Sequence, residues 1–571
     1  MKQIDYLIGP EIADGPWNVG LKPPRDLNAC IAGYLWAGLG DPDVDTRWRS
    51  THAVKLLCEL EQEHVLDALL LLAEGTDNRQ FNDSDLTFYE MNAREHLLLA
   101  LERASLSAPR SARRFERLLR EVAFKGEPHA AMRESAKQAL TNLSHSGEVY
   151  LDDHTALALA RVNEPVGEVI ALSDYERPHS GDHDEVTAAG EFHFGYDFAR
   201  YWCKPLAECF GLSASEVERR ASDVITEKWG LANRGRYEED ARHTLGLYGE
   251  RRKHMYKDDR SPVDDLDDYL AKHALMVVAG ELLATGQTYR EPELEGHDFS
   301  RWLRRERLTR LDGRWLADRK DPVPSDQRSL HNRETDHEHW RFLIQSGDFA
   351  ELLTPEQNGQ ICVFQESSQA VDRACESISI RSAFVTPDRA KALAVALQTA
   401  ETWTSFKIPE AEDSLEIQRP PYELLGWIDS DAPDARVDGS DPFAEGILFP
   451  PPRPTSAVIE ALGLIADDDM RAWRPREKPI AALISATWSD TTDAGRGRAT
   501  GMEGRRLTIE ESVLRTLLNN QQKSLILKVT IDREQYDYSG RRVGFDEEDF
   551  QYLDRSYKIF VIDEQGRAFE L

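Results

Sequence analysis

Residues 47–60 read Arg47-Trp-Arg-Ser-Thr-His-Ala-Val-Lys-Leu-Leu-Cys-Glu-Leu60. Ala53, Leu56, Leu57 and Leu60 recur at i, i+3, i+4 and i+7, the spacing that lays apolar side chains along one face of an α-helix. Phe115, Leu118, Leu119 and Val122 repeat that spacing, and Met132, Ala136, Ala139, Leu140 and Leu143 follow it again. Between them lie the apolar segments 63–73 and 93–104, so the helices come in pairs. Arg49 precedes Leu56 by seven residues, Arg94 precedes Leu101 and Arg133 precedes Leu140 by the same interval, and the pairs recur after 45 and then 39 residues. A two-helix unit of this size cannot bury its own apolar face and must stack on its neighbours. The spacing predicts Leu56, Leu101 and Leu140 as equivalent core positions of successive repeats.

That period lies close to the roughly 40–47 residues of HEAT and armadillo units. Residues 1–25 read as an irregular segment, 26–165 as HEAT-like helical repeats, and 166–345 as a helical domain with polar loops. Within the last, 173–193 is polar and loop-like, Pro205 should kink or restart a helix, and Ser213-Ala-Ser-Glu216 reads as a capping box. A further helix over 264–283 turns Leu270, Ala274, Val277 and Val278 inward, with His273 beside that face. Residues 346–571 change character. Strands are expected at 361–364, 377–385, 422–428, 480–488, 525–531 and 557–562. A helix should run from Pro387 through Thr402, and another over 509–520 behind a box at Thr508-Ile-Glu-Glu511. Glu564-Gln-Gly566 resembles a hairpin turn. The expected fold is a mainly α N-terminal two-thirds, HEAT-like repeats plus a helical bundle, followed by an α+β domain with a mainly antiparallel sheet.

The 571 residues carry 70 basic and 102 acidic side chains, a net charge of -32. An excess of that size opposes non-specific binding to DNA or to an anionic membrane. No apolar stretch approaches the roughly 20 residues of a membrane span, and the N-terminus lacks the basic-then-apolar pattern of a signal peptide. The six cysteines form no C-x-x-C pair and are too few for a disulfide framework. A cytoplasmic protein with no membrane association is expected.

Among chemical motifs, no G-x-x-x-x-G-K-[ST], no G-x-G-x-x-G after a strand, no H-E-x-x-H and no G-x-S-x-G occurs. Gly495-Arg-Gly497 and Gly501-Met-Glu-Gly504 read as a mobile loop. His179, Asp182, His183, Asp184 and His193 cluster, as do His331, Asp336, His337 and His339. Imidazole with carboxylate is a ligand set for a divalent metal, but the spacing matches no standard site and solvated loop is the better account. Two basic stripes stand out: Arg110, Arg113, Arg114, Arg117 and Arg120, and Arg301, Arg304, Arg305, Arg307 and Arg310. They suit phosphate or partner contacts, or pairing with the surplus acids. Leu525-Ile-Leu-Lys-Val529 has the strand and lysine of a nuclease core, but Ile526 stands where the metal-binding acid belongs.

Arg47-Trp-Arg-Ser-Thr-His-Ala-Val54 resembles the HEAT-like helices in the C-terminal regions of very large bacterial ATP-binding proteins, and so does Phe88-Tyr-Glu-Met-Asn-Ala-Arg94. Phe194-Gly-Tyr-Asp-Phe198 with Tyr201-Trp202 and Pro205-Leu206, and Trp315-Leu-Ala-Asp318 followed by Asp321-Pro322, are similar to the same group. The resemblance runs from around residue 26 to the C-terminal end. The group comprises signal-transducing ATPases of the STAND, NACHT-like kind, often associated with defence against phage. It implies a ligand-sensing, repeat-built region. This chain lacks the ATPase domain, which implies a separate ATPase or effector as protein partner, or a piece of a longer protein. The shared motifs are packing motifs and bring no catalytic residues. The expectation is a non-enzymatic scaffold or sensor without cofactor or metal, with nucleic acid reached only through the basic stripes. The competing class is a metal-dependent hydrolase or nuclease effector using the His/Asp-rich loops.

Overall fold

A computed structural model describes residues 24–75, 88–167, 169–171, 192, 194, 197–231, 264, 266–290, 298–307, 321–323, 344–355, 359–371, 374–399, 424–430, 441, 443, 452–467, 471–476, 480–490, 492–493, 499–535 and 555–570. The chain forms two compact units, Met1–Trp315 with Val437–Phe443, and Leu316–Arg436 with Ala444–Leu571.

The first unit is helical. Its described residues form α1 (Leu27–Leu39), α2 (Val44–Glu59), α3 (Glu63–Glu74), α4 (Phe88–Ser107), the single turn α5 (Pro109–Ala112), α6 (Glu116–Phe124), α7 (Ala130–His145) and α8 (Asp153–Ala160). Short polar side chains start these helices by accepting the first free backbone N–H groups: Asp26 from Ala29, Asp43 from Asp45, and Asp152 from Thr155 at 2.7 Å. Such a cap contributes about 1 kcal/mol. α2 packs on α4 and α4 on α7, while α1 packs on α2 and α3 and α6 on α7. Arg114 and Arg117 reach Glu63, Asp67 and Glu74 of α3, which sets α6 beside it. The result is two rows, α1–α3–α6 and α2–α4–α7, the stacking that paired helices require.

The register of the first repeat differs from the expectation. Leu101 and Leu140 are fully buried, but Leu56 is 51% exposed. The inward face of α2 is Arg47, Thr51, Val54 and Cys58, which matches Ala93, Leu97, Ala100 and Ala104 of α4 and Met132, Ala136, Ala139 and Leu143 of α7 in spacing. The cause is Arg47. Its guanidinium donates to the carbonyls of Asp41 (2.6 Å) and Pro42 (2.8 Å) and pairs with Asp264 at 2.8 Å, so α2 is rolled to bring it inside.

The unit continues through a π-helical turn, Phe198–Cys203, into α9 (Lys204–Phe210), where Pro205 occupies the first turn and restarts the helix. Next come α10 (Ala214–Asp223), capped by Ser213 accepting from Glu216 N–H, then α11 (Leu266–Thr285) and α12 (Asp298–Glu306). α11 lies against α4, α7 and α10. β1 (Val169–Ala171) pairs in parallel with β2 (Thr288–Arg290). One continuous core runs from Ala32 to Leu303. The aromatic motif at 194–202 packs into it, with Phe194 stacked on Phe198 at 4.5 Å and Trp202 buried.

The second unit is α+β. Its elements are α13 (Ser346–Leu352), β3 (Gln360–Val371), β4 (Ala374–Val385), α14 (Pro387–Thr399), β5 (Asp429–Ser430), β6 (Arg453–Pro454), α15 (Ser456–Leu462), β7 (Leu464–Ala466), β8 (Ala472–Pro475), β9 (Leu483–Ser489), β10 (Thr492–Asp493), β11 (Ala499–Glu510), α16 (Glu511–Gln521), β12 (Ser524–Gln535), β13 (Arg555–Ile562) and β14 (Ala568–Glu570). The large sheet runs β14-β13-β12-β4-β3-β11-β9-β8-β7, with β10 on β11, and every pairing in it is antiparallel. Strand alternation explains why both faces of its centre are apolar. Leu525, Leu527, Val529 and Ile531 of β12 enter one core with Leu514, Leu517 and Leu518 of α16, while Ile526 enters another with Ala390, Leu393 and Leu397 of α14.

Three local expectations are corrected. Leu424–Trp427 lies in no regular element, because its backbone instead exchanges hydrogen bonds with Phe384: Phe384 N–H to Gly426 O and Leu425 N–H to Phe384 O. The box at Thr508 does not form. β11 runs on to Glu510, since Thr508 and Ile509 are buried opposite Ile484 and Leu483, and Glu510 itself caps α16 through Ser512 N–H. Gly501–Gly504 is strand, not loop: a Cβ on Gly504 would meet Trp488 at 2.4 Å, so the glycine admits the indole. The Glu564–Gly566 turn does join β13 to β14, with Gly566 at φ +79°.

Candidate functional site

The densest polar chemistry lies where α2, α4, α7 and α11 meet. His129 sits at the N-terminus of α7, and its Nδ1 accepts the Met132 N–H at 3.2 Å. A backbone N–H can only donate, so Nδ1 is bare and, in the neutral ring, Nε2 carries the proton. His129 Nε2 therefore donates to His273 Nδ1 (2.9 Å), and His273 Nε2 donates to Asn92 Oδ1 (3.3 Å). Asn92 Nδ2 points to Asp264 at 3.5 Å, and that carboxylate receives Arg47. Tyr269 OH accepts the Asn92 backbone N–H at 2.5 Å, and its ring lies 4.3 Å from that of His273. The result is a directional chain of five side chains, from His129 at the start of α7 through α11 and α4 to Asp264 and Arg47 of α2, ending on an ion pair.

Beside it, Thr51 bonds His96 Nδ1 at 3.1 Å, and Lys272 donates to Glu95 at 2.7 Å. Burial drives His96 and His273 well below the ordinary imidazole range, assisted by Arg47 and Lys272, and lowers His129 to about 4. Burial alone would raise Glu95, but Lys272, with His129 and His96, outweighs it and holds the carboxyl at about 2. The imidazoles are thus neutral and Glu95–Lys272 is an ion pair. α11 comes this close because of Gly280: a Cβ there would lie 1.8 Å from the Pro128 carbonyl oxygen, next to His129.

Both ring nitrogens of His129 and of His273 are engaged by protein groups. No lone pair on either is left to ligate a metal or take a substrate proton, so the chain acts as an internal register device. Sequence reading noted His273 but missed His96 and His129. The available signal for His129 was its place just before the apolar run of α7, where a capping residue belongs.

The basic stripes are largely internally paired. Arg113 meets Glu148 (3.2 Å), Arg114 meets Asp67 and Glu63, Arg117 meets Glu74, and Arg120 meets Glu116 (2.7 Å), while Arg110 is exposed. Arg301 pairs with Asp298 (2.6 Å), Arg304 donates to the Ser300 carbonyl, and one terminal nitrogen of the buried Arg307 donates to both carboxylate oxygens of Glu102 at 2.7 Å. The Arg305 side chain and Arg310 lie outside the described residues, as do His179, Asp182, His183, Asp184, His193, His331, Asp336, His337 and His339. In the second unit, Arg505 (2.7 Å) and Arg381 both bond Glu366, with their guanidinium groups over Phe364 at 5.2 and 4.6 Å. Asp321 clasps Thr487 of β9 and pairs with Arg471. Among the described residues, no group of three or more His, Cys, Asp or Glu is placed to hold a metal ion, and no helix is long and apolar enough to cross a membrane.

Comparison with protein-family models finds no match, and no curated protein matches the sequence.

Proposed function

We propose that this chain is a binding protein, a scaffold or sensor that recognises another macromolecule as part of a bacterial, antiviral defence-type system in the cytoplasm. The observation that carries the reading is an exposed apolar face on α1. Leu27, Ile31 and Tyr34 of α1 stand at i, i+4 and i+7 and are 71%, 37% and 80% exposed. Apolar side chains spaced along one helical face and left exposed offer a surface to a partner. A protein is favoured over nucleic acid, because Arg113, Arg114, Arg117 and Arg120 of the first stripe already face carboxylates and the net charge is -32. The resemblance in sequence to STAND, NACHT-like proteins points to a separate ATPase or effector as that partner.

The test is reconstitution. The tagged chain is recovered from phage-infected and uninfected bacterial cells, the co-purifying protein is expressed separately, and the complex is weighed by light scattering. Tyr34→Glu should weaken it at least tenfold. The purified chain alone should show no ATP turnover. Turnover that survives repurification, with no complex formed, would replace this reading with the hydrolase or nuclease class.

A further inference from the structure

Residues 437–443 group with the helical unit, although the chain on both sides of them belongs to the sheet unit. Two of their side chains explain this. Asp441 accepts a hydrogen bond from His52 Nε2 at 2.7 Å and is only 2% exposed. Phe443 sets the edge of its ring against the His52 ring at 4.6 Å, under the Arg49 guanidinium at 5.9 Å. Arg49 and His52 stand three residues apart on α2 and so project from the same face. The buried Trp48 backs His52, with ring centroids 6.2 Å apart.

The seated segment carries its own geometry. Asp441 Oδ1 accepts the Phe443 backbone N–H at 3.0 Å, an Asx turn that places an aromatic ring two residues after the carboxylate. The acceptor is read by an imidazole N–H, and the ring by a cation and an imidazole edge. The fit is unequal. The carboxylate is fully enclosed, but Phe443 remains 48% exposed, so a ligand with a larger or better covered aromatic group can outcompete it.

We propose that the Arg49–His52 face of α2 is a recognition site for a short acidic-x-aromatic peptide, occupied in this chain by its own Asp441 and Phe443 and exchanged for the matching segment of a partner protein. The inference rests on the binding-protein reading and names the partner chemistry. The occupant in cis acts as a tethered competitor: it lowers the apparent affinity for a free peptide by the fraction of molecules in which the site is filled.

The probe is a fluorescent nine-residue peptide with the sequence of residues 437–445, Val-Asp-Gly-Ser-Asp-Pro-Phe-Ala-Glu, titrated by anisotropy against the full chain. The Asp441→Ala/Phe443→Ala variant should bind it at least tenfold more tightly than the unaltered chain. Adding Arg49→Ala and His52→Ala to that variant should abolish binding, and a peptide with Asp and Phe exchanged for Ala should not bind. If the double variant melts early, Asp441→Asn, which keeps the ring and the turn, should give the same direction of change. Equal affinity in the unaltered and emptied chains, or binding that survives loss of Arg49 and His52, overturns the proposal. That failure is distinct from failure of the binding-protein reading, which is judged by the reconstituted complex and by Tyr34→Glu on α1.

Discussion

His129 and His273 show how one hydrogen bond sets the state of a whole core. Once Met132 N–H occupies His129 Nδ1, every later proton in the chain to Asn92 has an assigned place. Asn92 is the joint, because its amide bonds His273 with one end and Asp264 with the other. Asn92→Ala should therefore destabilise the helical unit by about 1–3 kcal/mol, the usual consequence of stranding buried polar groups, read as a lower urea midpoint with unchanged slope. The histidines also set an acid limit. Their folded-state pKa values are depressed, with His129 at about 4, so between pH 6.5 and 4 the unfolded chain binds more protons than the native one. Stability is then complete above pH 6.5 and falls as the pH drops through that window, by up to about 1.4 kcal/mol per pH unit for each histidine. Urea titrations at pH 7.5, 6 and 5 should show this slope, and His129→Gln should make it shallower by the share of one of the three histidines. An unchanged slope in that variant would mean that His129 is not held neutral. Little of this was readable in the sequence: His96, His129 and His273 are far apart along the chain, and only tertiary packing brings them together.

At the scale of elements, legibility followed periodicity. β12 and β13 and the helices α7 and α10 were readable because each buries one regular face or strand run. Thr508–Glu511 misled because a helix N-terminus and the end of a strand use the same polar letters. What decided it was the burial of Ile509 in the sheet, a long-range fact. Leu56 misled for the converse reason: the apolar spacing was right, but the buried cation Arg47 overrode it by rolling α2. Close approach between elements is equally invisible in a propensity. Gly33 and Gly280 both lie inside helices, and helix propensity alone would treat them alike. A Cβ on Gly33 meets nothing within 4 Å, so Gly33→Ala should stabilise by about 0.5–1 kcal/mol. On Gly280 it would collide with the Pro128 carbonyl at 1.8 Å, and Gly280→Ala should cost about 1–3 kcal/mol by forcing α11 away from His129. Opposite shifts in melting temperature are the expected result, and equal shifts would remove close packing as the reason for Gly280.

Among the described residues the large apolar cores are separate, one running through the helical unit and one on each face of the sheet. The buried histidines with depressed pKa values belong to the first. In the sheet unit the shifts among described residues have another character. Burial raises Glu503 and Cys375, while Asp563 is lowered by the Arg567 and Gln565 backbone N–H groups and the Arg567 side chain, which outweigh its burial. A carboxyl with a raised pKa favours the native state as the pH falls, and Asp563 loses its contribution only below the ordinary aspartate range near 3.8. Its sheet is further held by the buried Arg533–Glu376 pair at 2.7 Å. Mild acid should therefore act on one unit and spare the other. In calorimetry at pH 7.5 the two cores should melt close together or as one broad transition. At pH 5 the transition of the helical unit should move to lower temperature by several degrees, since a loss of about 1 kcal/mol shifts a domain of this size by about 2–4 °C, while that of the sheet unit should stay. His129→Gln should narrow the gap, and Leu397→Ala, in the core under α14, should lower only the transition that acid leaves in place. Two transitions that move together at every pH, in the unaltered chain and in both variants, would show that the buried histidines do not govern the stability of the helical unit separately.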